Sequence, residues 1–318
     1  MPALTIVPIV VNYRSTDLVF DLLQSIYQSN ASYLNKLVVV DNGSGDDSFE
    51  QLKAIIRRLR IEDRVYVLDT GRNAGFGAGN NFGAKEICRY LPKPDILWLL
   101  NPDTLVNQTN LSEALRWFDT DPSVGIVGTG MVDEAGKRSL AGHRDLSPIG
   151  EFIGAAGAFR VLNRWSVSDP SLDRPGPVDW VSGASLLIRT EVFEELAGFD
   201  EGFFLYFEEV DLCRRARRAG WKVIYEPRTS ILHLEGKTTG VQKSQPMPRY
   251  WYESRRRFFL KHNGRRGLLA ADLCWTFGFL IGSLRRRKLP SYRLGEILRC
   301  DLPALLGLKT IKVNLAQR

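Results

Sequence analysis

The chain is poor in cysteine and lacks the spacings on which cysteine-dependent sites rely. Its four cysteines, Cys88, Cys213, Cys274 and Cys300, show neither a metal-binding pattern nor a disulfide framework. No internal repeat or low-complexity segment is visible, and the N-terminal residues lack the basic leader and cleavage site of a signal peptide. We therefore expect a globular protein with reduced, mostly buried thiols in the cytoplasm.

A glycine-rich turn is missing after the first strand-like run. Residues 12–15 read Asn-Tyr-Arg-Ser, where an NAD-dependent oxidoreductase has a glycine-rich turn and a nucleotidyltransferase has a glycine-rich loop with Arg or Lys. Glycines appear instead after the third predicted strand, spaced Gly75-x-Gly77-x-Gly79, which is not the dinucleotide fingerprint. Two alternative hypotheses remain: a nucleotidyltransferase and, ranked lower, an NAD-dependent oxidoreductase.

The composition is that of a globular protein with an uneven distribution of charge. The 318 residues, 44% hydrophobic and 25% charged, suffice for a large core in one or two domains. The net charge is +7, and arginines cluster between residues 214 and 288, which indicates an anionic partner. A nucleic-acid binder ranks low because these arginines lie beside apolar runs instead of on a stacking platform.

Apolar runs alternate with amphipathic stretches along the first half of the chain. Predicted strands cover 5–12, 36–41, 64–68, 96–100 and 124–128, and predicted helices cover 17–28, 48–59, 78–90 and 110–118. This alternation predicts an α/β fold with a mostly parallel sheet flanked by helices. We expect an irregular insertion at residues 133–177. Two further strands are expected at 221–225 and 229–234. We place a boundary near 240–248, between a domain of 1–240 and a basic, apolar helical region of 241–318.

Two predicted strands end in residues that can bind ligands. The run 96–100 ends at Asn101-Pro102-Asp103 because proline cannot continue a central strand, and the run 36–41 ends with Asp41 before an Asn-Gly turn. Ligands bind at the carboxyl edge of such sheets. The side-chain oxygens of Asn101 and Asp103 could bind Mg²⁺ or Mn²⁺ that carries a diphosphate. The carboxylate of Asp41 could accept a hydrogen bond from a pyrimidine N–H or a ribose hydroxyl. Simple turns and loop caps stay as alternatives.

Further stretches combine residue types that serve transfer chemistry. Residues 71–81 open a predicted helix, so their backbone N–H groups can approach phosphate. Trp180 offers a flat apolar face to a sugar, or fills the core. The acidic residues of 208–211 follow an aromatic run. Desolvation by the aromatic side chains raises the pKa of a carboxylate there and makes it a candidate general base. The alternative is that these carboxylates only stabilise the N-terminus of a helix through its dipole. His233 can share a metal with Asp103, or be structural.

Together these motifs resemble glycosyltransferase family 2, inverting enzymes with the fold called GT-A, and within it the bacterial rhamnosyltransferase-like branch. The resemblance covers roughly residues 4–240, and its strongest marks are Asn73-x-Gly75-Phe76-x-x-Gly79-Asn80 and the stretch 204–215. It implies transfer of rhamnose or a similar sugar from a dTDP- or UDP-sugar, with Mg²⁺ or Mn²⁺ as cofactor. The implied acceptor is a hydroxyl of a glycan or lipid-linked molecule in cell-surface polysaccharide synthesis.

The resemblance also implies roles for individual residues. Glu209 is the catalytic base, with Glu208 beside it, and Asp103 and His233 bind the metal. The nucleotide-binding residues are Val11, Asn12, Tyr13, Asp41, Arg72, Asn73, Gly79 and Asn101, and Trp180, Gly183 and Asp211 lie near the donor sugar and acceptor. Two positions depart from the family: Asn101 replaces the first Asp of its Asp-x-Asp motif, and Glu209 stands where Asp is typical.

The C-terminal region predicts contact with a membrane surface. Residues 268–284 are apolar except for Asp272 and two hydroxyls, and basic residues at 265–266 and 285–288 flank them. Because a bilayer crossing needs about 20 apolar residues, a helix lying at the inner face of the cell membrane fits better. A buried helix or an oligomer interface stays as the alternative.

Overall fold

The computed structural model describes residues 4–28, 34, 36–106, 111–157, 165–168, 173–234, 247–286 and 291–307. The strands in these residues are β1 (Ile6–Asn12), β2 (Leu37–Asp41), β3 (Val65–Asp69), β4 (Ile96–Leu100), β5 (Thr104–Leu105), β6 (Val124–Val132), β7 (Arg138–Ser139), β8 (Gly142–His143), β9 (Gly176–Pro177), β10 (Trp180–Val181), β11 (Ser185–Arg189) and β12 (Lys222–His233). The main sheet follows the order β3-β2-β1-β4-β11-β6-β12-β5, while β8 and β10 pair apart from it.

The helices in the same residues are α1 (Thr16–Gln28), α2 (Ser48–Leu59), α3 (Phe76–Ile87), α4 (Ser112–Thr120), α5 (Pro148–Ala156), α6 (Thr190–Glu195), α7 (Glu208–Arg218), α8 (Arg249–Arg286) and α9 (Ser291–Leu305). The predicted α/β fold with a mostly parallel sheet is confirmed. The predicted strands and helices of the first half of the chain are also confirmed, with ends shifted by up to four residues.

The central strands are buried on both faces. β1, β2 and β4 have no exposed residue, and strands covered by helices on both sides carry such continuous apolar runs. β1 pairs in parallel with both neighbours, so that Asn12 lies opposite Asp41 and Val10 opposite Leu100. The polar residues that end these strands therefore emerge at one edge of the sheet.

Helix α3 packs closely on the strands because its contact face lacks side chains. A Cβ at Gly79 would lie 2.7 Å from Cγ1 of Val11, and one at Gly83 would lie 2.8 Å from Cγ2 of Ile9. Real Cβ atoms do not approach this closely, so only glycine lets the helix reach β1. The loop that opens α3 is thereby held beside the strand edge.

Two expectations from the sequence are wrong in part. The middle of 133–177 is not irregular but forms α5, whose N-cap Ser147 accepts a hydrogen bond from the backbone of Gly150 (3.1 Å) and whose end is Gly157 in a left-handed conformation. The two strands expected at 221–234 are one strand, β12, with a register irregularity between Glu226 and Ser230. Most of the expected boundary at 240–248 lies outside the described residues.

The long helix α8 consists of two halves. Gly264 has φ 67° and ψ −173°, which interrupts the helix. In the first half, the ring of Trp251 packs 5.4 Å from that of Phe207, and the Ser254 hydroxyl donates to the Leu205 carbonyl (3.0 Å). In the second half, Gly278 lies so close to α5 that a Cβ would sit 2.3 Å from the Phe152 carbonyl oxygen. Both halves therefore pack on the rest of the protein.

One buried arginine joins the elements of the C-terminal region. The guanidinium of Arg255 is fully buried and lies 2.7 Å from Glu151, 2.8 Å from Asp272 and 3.2 Å from Asp301. These carboxylates belong to α5, the second half of α8 and α9. Burial and the neighbouring Asp272 carboxylate raise the pKa of Asp301 to about 8. A buried charge needs such partners, so the network fixes the three helices to one another.

Candidate active site

The carboxylate of Asp41 is held at the sheet edge by its neighbours. Oδ1 accepts hydrogen bonds from Nδ2 of Asn12 (2.8 Å) and from the Ser44 hydroxyl (2.6 Å), and the Ser44 backbone N–H lies 3.3 Å from Oδ2. Asp41 is buried. These contacts fix the loop after β2, and Oδ2, with one long hydrogen bond, keeps acceptor capacity for a ligand.

Two asparagines join the loop after β2 to the glycine-rich loop. Nδ2 of Asn42 donates to Oδ1 of Asn73 (3.1 Å) and to the Gly75 carbonyl (3.0 Å), while the Gly75 N–H donates to the same Asn73 oxygen (3.0 Å). A Cβ at Gly43 would lie 2.3 Å from the backbone of Arg72. Asn42 and Ser44 were not predicted as site residues, although the Asp-Asn-Gly-Ser turn contained the signal.

The remaining predicted nucleotide-binding residues lie around the same edge. Val11 packs against Gly79, and the Asn42 side chain lies 3.4 Å from where a Gly79 Cβ would stand. Tyr13 is half-buried and stacks under the Arg14 guanidinium, 5.3 Å from the ring centroid, whereas the Arg72 side chain is exposed. The structure therefore brings together residues from the ends of β1, β2 and β3 and the start of α3.

Asp103 and His233 are brought together across β5 and β12. His233 pairs with Thr104, and the Leu234 N–H donates to the Asp103 carbonyl (2.9 Å), which leaves Nε2 of His233 3.5 Å from Oδ1 of Asp103. Asn101 lies half-buried at the end of β4, where its N–H donates to the Ala184 carbonyl (3.0 Å). These contacts place the two predicted metal ligands side by side.

The donor set fits a divalent cation held by few protein ligands. Carboxylate and imidazole are both ligands of Mn²⁺-like ions. No group of three or more His, Cys, Asp or Glu side chains forms a metal cluster in the part of the chain that the structure describes. A cation at Asp103 and His233 would therefore need further oxygen ligands, such as diphosphate and water, a common arrangement for Mg²⁺.

The acidic pair begins α7 after an unusual stretch of backbone. Tyr206 and Phe207 both have positive φ angles, 68° and 70°, which large side chains rarely adopt. Phe207 is held by aromatic packing against α8. The Phe204 carbonyl accepts a hydrogen bond from the Phe76 N–H (3.0 Å), which joins this loop to the glycine-rich loop. Strain of this kind concentrates at functional sites, where the surroundings hold it in place.

The two glutamates occupy different surroundings. Glu208 is buried near Gly77, and its Oε2 has no hydrogen-bond partner within the described residues. Glu209 is half-buried, with its Cβ 3.5 Å from where a Gly183 Cβ would stand. Desolvation raises the pKa of Glu209 to about 7, and desolvation together with the Glu209 charge raises the pKa of Glu208 well above its usual value. Glu209 is therefore the more accessible acid, poised near neutral pH.

Asp211 points into a cluster of basic side chains. Its carboxylate is fully buried, with Arg215 Nε and Lys261 Nζ each at 2.7 Å and His262 Nε2 at 2.8 Å. Burial opposes ionisation, but the hydrogen bonds from His262 and Lys261 lower the pKa of Asp211. The contacts of Asp211 therefore run to α7 and α8, and its predicted contact with sugar stays a prediction.

Trp180 lies on β10 with its ring half-buried. The indole stacks on His143 with ring centroids 4.0 Å apart, and Nε1 donates to the Arg144 carbonyl (2.7 Å). Burial lowers the pKa of His143 to about 4, so this ring is neutral at pH 7. No local sequence pattern predicted the stack on His143. Gly183, three residues after Trp180, lies beside Glu209.

Comparison with known proteins identifies the family. The model of the family described as "Glycosyltransferase like family 2" matches residues 2–252. The N-acetylglucosaminyl-diphospho-decaprenol L-rhamnosyltransferase of Mycobacterium tuberculosis (strain CDC 1551 / Oshkosh) is 28% identical over 79% of this chain and 81% of its own length. The rhamnosyltransferase WbbL of Escherichia coli (strain K12) is 27% identical over 71% of this chain and 81% of its own length.

A solved structure shares the fold. The mannosyltransferase PcManGT from Pyrobaculum calidifontis, in complex with GDP-Man and Mn²⁺, superposes with a TM-score of 0.55 over 95% of this chain and 81% of its own, at 16% identity. The resemblance drawn from the motifs is thus confirmed, and the nucleotidyltransferase, oxidoreductase and nucleic-acid alternatives give way to it. The chain belongs to glycosyltransferase family 2 and is a glycosyltransferase with the GT-A fold.

Proposed function

We propose that this enzyme transfers rhamnose or a similar hexose from a dTDP- or UDP-sugar to a hydroxyl of a lipid-linked glycan, with inversion. The observation that carries the proposal is the convergence of four groups at one sheet edge: Asp41 with its loop, the glycine-rich loop, the Asp103–His233 pair, and Glu209. The names of the mycobacterial and E. coli relatives support rhamnose as the sugar, and the mycobacterial name supports a diphospho-lipid acceptor.

The nucleotide would lie across the ends of β1 and β2. Asp41, fixed by Asn12 and Ser44, would accept the pyrimidine N–H or a ribose hydroxyl through Oδ2. The start of α3 would face the phosphates, because the N-terminus of a helix favours anions. Arg72, whose side chain is exposed at this edge, would add positive charge.

Asp103 and His233 would hold a divalent cation, Mn²⁺ or Mg²⁺. Such an ion offsets the charge of a diphosphate leaving group. Mn²⁺ is present in the mannosyltransferase structure that shares the fold. With a neutral amide at Asn101, the protein supplies one carboxylate at this motif, so we infer that metal affinity depends strongly on bound diphosphate.

Glu209 would be the general base. Its carboxylate would accept the proton of the acceptor hydroxyl while the hydroxyl oxygen attacks the anomeric carbon. The oxygen attacks from the face opposite the diphosphate, and the bond from the anomeric carbon to the diphosphate oxygen breaks with its electron pair leaving on the diphosphate. Because attack comes from the opposite face, the configuration at this carbon inverts. A base with a pKa near 7 suits this step at neutral pH. Glu208, buried and favouring its neutral form, would leave Glu209 as the one ionised acid of the pair.

A direct test is binding and turnover with a panel of nucleotide sugars. Thermal unfolding of the enzyme with dTDP-rhamnose, UDP-GlcNAc and GDP-mannose, each with and without Mn²⁺, measures selective binding, because a ligand of the folded state raises the melting temperature. We expect the dTDP- or UDP-sugar to stabilise, and more so with Mn²⁺. Stabilisation by GDP-mannose alone would overturn the donor assignment. NMR analysis of the anomeric configuration of the product, compared with that of the donor, tests inversion.

A further inference from the structure

The second half of α8 presents an apolar face to solvent. Leu273, Phe277 and Leu284 are 51%, 60% and 80% exposed. Leu269, Leu280 and Ile281 are also exposed, and at 3.6 residues per turn the six side chains fall within a sector of about 120°. We call these six residues the apolar strip. A helix on the surface of a soluble protein normally turns polar residues outward. An apolar strip on the solvent side of α8 is therefore unusual.

The polar residue that could interrupt the strip is turned inward. Asp272 is the one charged residue between Gly267 and Leu284, and it is buried against Arg255. The opposite side of the helix, including Leu268 and Phe279, is buried. The neighbouring helices add exposed apolar side chains of their own, Ile149 on α5 and Leu302 on α9. The helix is therefore apolar on both its packed and its open side.

In the sequence, basic residues flank the strip on both sides. Arg265 and Arg266 are exposed where the second half begins, and the sequence continues beyond Leu284 with Arg285-Arg286-Arg287-Lys288. An apolar surface bounded by cations complements a layer of anionic lipid headgroups over acyl chains. A second copy of the chain fits less well, because pairing two such strips in either direction places arginines against arginines.

We propose that the apolar strip docks on an anionic lipid surface, with the helix lying in the interface. The proposal rests on the proposed function in one respect, since a lipid-linked acceptor makes the surface useful. Arg249–Leu284 is long and apolar enough to cross a membrane, but a crossing would remove its contacts with α5 and α9. Lying flat, the strip from Leu269 to Leu284 covers about 22 Å of interface and keeps those contacts.

Docking through this strip also fixes the position of the proposed active site relative to the lipid surface. The first half of the same helix contacts the loop before Glu209, through Trp251 on Phe207 and Ser254 on Leu205. The lipid surface is thus joined to the loop before Glu209 by the two halves of α8, which meet at Gly264. A diphospho-lipid acceptor that diffuses in the membrane would meet the base at a fixed height above the headgroups.

Co-sedimentation with vesicles tests the proposal on the full-length chain. The probes are vesicles of phosphatidylcholine alone and of phosphatidylcholine with phosphatidylglycerol, at low and high salt. We expect partitioning into the anionic vesicles that weakens with salt, and a loss of at least about tenfold in the partition coefficient for the double variant Leu273→Glu/Phe277→Glu. Tyr90→Glu is the matched control, since Tyr90 is 50% exposed but lies outside the strip, and it should partition like the wild type.

Three outcomes would overturn the proposal. The first is a double variant that sediments with vesicles as the wild type does. The second is a wild type that stays in the supernatant. The third is a wild type that light scattering shows to be a dimer, which the double variant converts to a monomer while vesicle binding is unchanged. Nucleotide-sugar binding without vesicles, followed by thermal unfolding, separates this from the proposed function: intact donor binding with no vesicle binding defeats the docking surface alone.

Discussion

Nε2 of His262 lies 2.8 Å from Oδ1 of Asp211, so a residue of the C-terminal helix contacts α7, the helix that carries the proposed general base Glu209. Asp211 follows Glu209 by two residues and is also held by Lys261 from the same C-terminal helix. Both side chains of the His262–Asp211 pair are buried. The C-terminal region therefore helps to fix the start of α7.

Removing the carboxylate of Asp211 should destabilise the fold. Asp211→Asn leaves three basic groups without their buried partner, and breaking a buried ion pair costs about 3–5 kcal/mol. Urea unfolding at pH 7 measures the loss. Asp121→Asn is the matched control, because its pair with Lys222 is partly exposed and such exposed pairs contribute little to stability. Since the pKa of Asp211 is lowered, its contribution is present at neutral pH and is lost as the pH falls below about 4. Equal losses for the two variants would contradict a structural role for Asp211.

Replacing Glu209 should abolish turnover while keeping donor binding. Glu209→Gln preserves size but cannot accept a proton, so kcat should fall by about 10²–10⁴-fold. Steady-state kinetics measures kcat, and titration calorimetry measures the Kd of the nucleoside diphosphate. Glu208→Gln serves as the control and should retain most activity. An inactive Glu208 variant beside an active Glu209 variant would transfer the role to Glu208.

The rate should rise with pH through neutrality. Only ionised Glu209 can accept the proton, and its pKa is raised to about 7. One unit below that pKa, kcat/KM should be about tenfold below its plateau, and it should be nearly constant above pH 8. The measurement is kcat/KM between pH 5.5 and 9. A profile that is flat from pH 6 to 8 would show that the base has an ordinary carboxyl pKa.

Asp103 should be needed for metal-linked diphosphate binding. Asp103→Ala removes the carboxylate beside His233, and loss of metal-assisted charge stabilisation should cost several kcal/mol in the transition state. The Mn²⁺ dependence of nucleoside diphosphate affinity should disappear in this variant. Asp119→Ala, at an exposed position on α4, should behave as the wild type. A full Mn²⁺ response in Asp103→Ala would remove Asp103 from the metal site.

Two glycines of one loop should respond differently to alanine. Gly43 and Gly45 both have positive φ angles, so each alanine variant should lose about 1–2 kcal/mol of stability through backbone strain. Gly43→Ala must in addition displace the Arg72 backbone, while nothing lies within 4 Å of a Cβ at Gly45. We expect a several-fold higher KM for the donor in Gly43→Ala only. Equal KM values would show that the contact between the two loops does not shape the nucleotide site.

Most of the sheet edge could be predicted from the sequence because parallel strands align their ends. The runs ending at Asp41 and Asn101 are continuously apolar, and their short length and lack of helical periodicity indicate strands buried on both faces. The residues that follow them could therefore be placed at one edge from the sequence alone. The proximity of His233 to Asp103 was also expected from two strand ends.

What the sequence could not show depends on contacts between distant segments. The Asn42–Asn73 bridge joins loops after different strands, and no local pattern marks it. The inward turn of Asp211 requires Lys261 and His262, about 50 residues along the chain. The positive φ angles of Tyr206 and Phe207 depend on aromatic packing against α8 and not on local propensity. Tertiary contacts decided each of these features.

The backbone conformation of Gly264 sets the angle between the two halves of α8. Without the break, a 38-residue helix would be a straight rod about 57 Å long. In such a rod Arg255 and Asp272 would lie about 25 Å apart along the axis, and not 2.8 Å as they do here. The combination of φ 67° and ψ −173° is open essentially to glycine alone. A single residue without a side chain thus determines how the loop before Glu209 lies relative to the apolar strip.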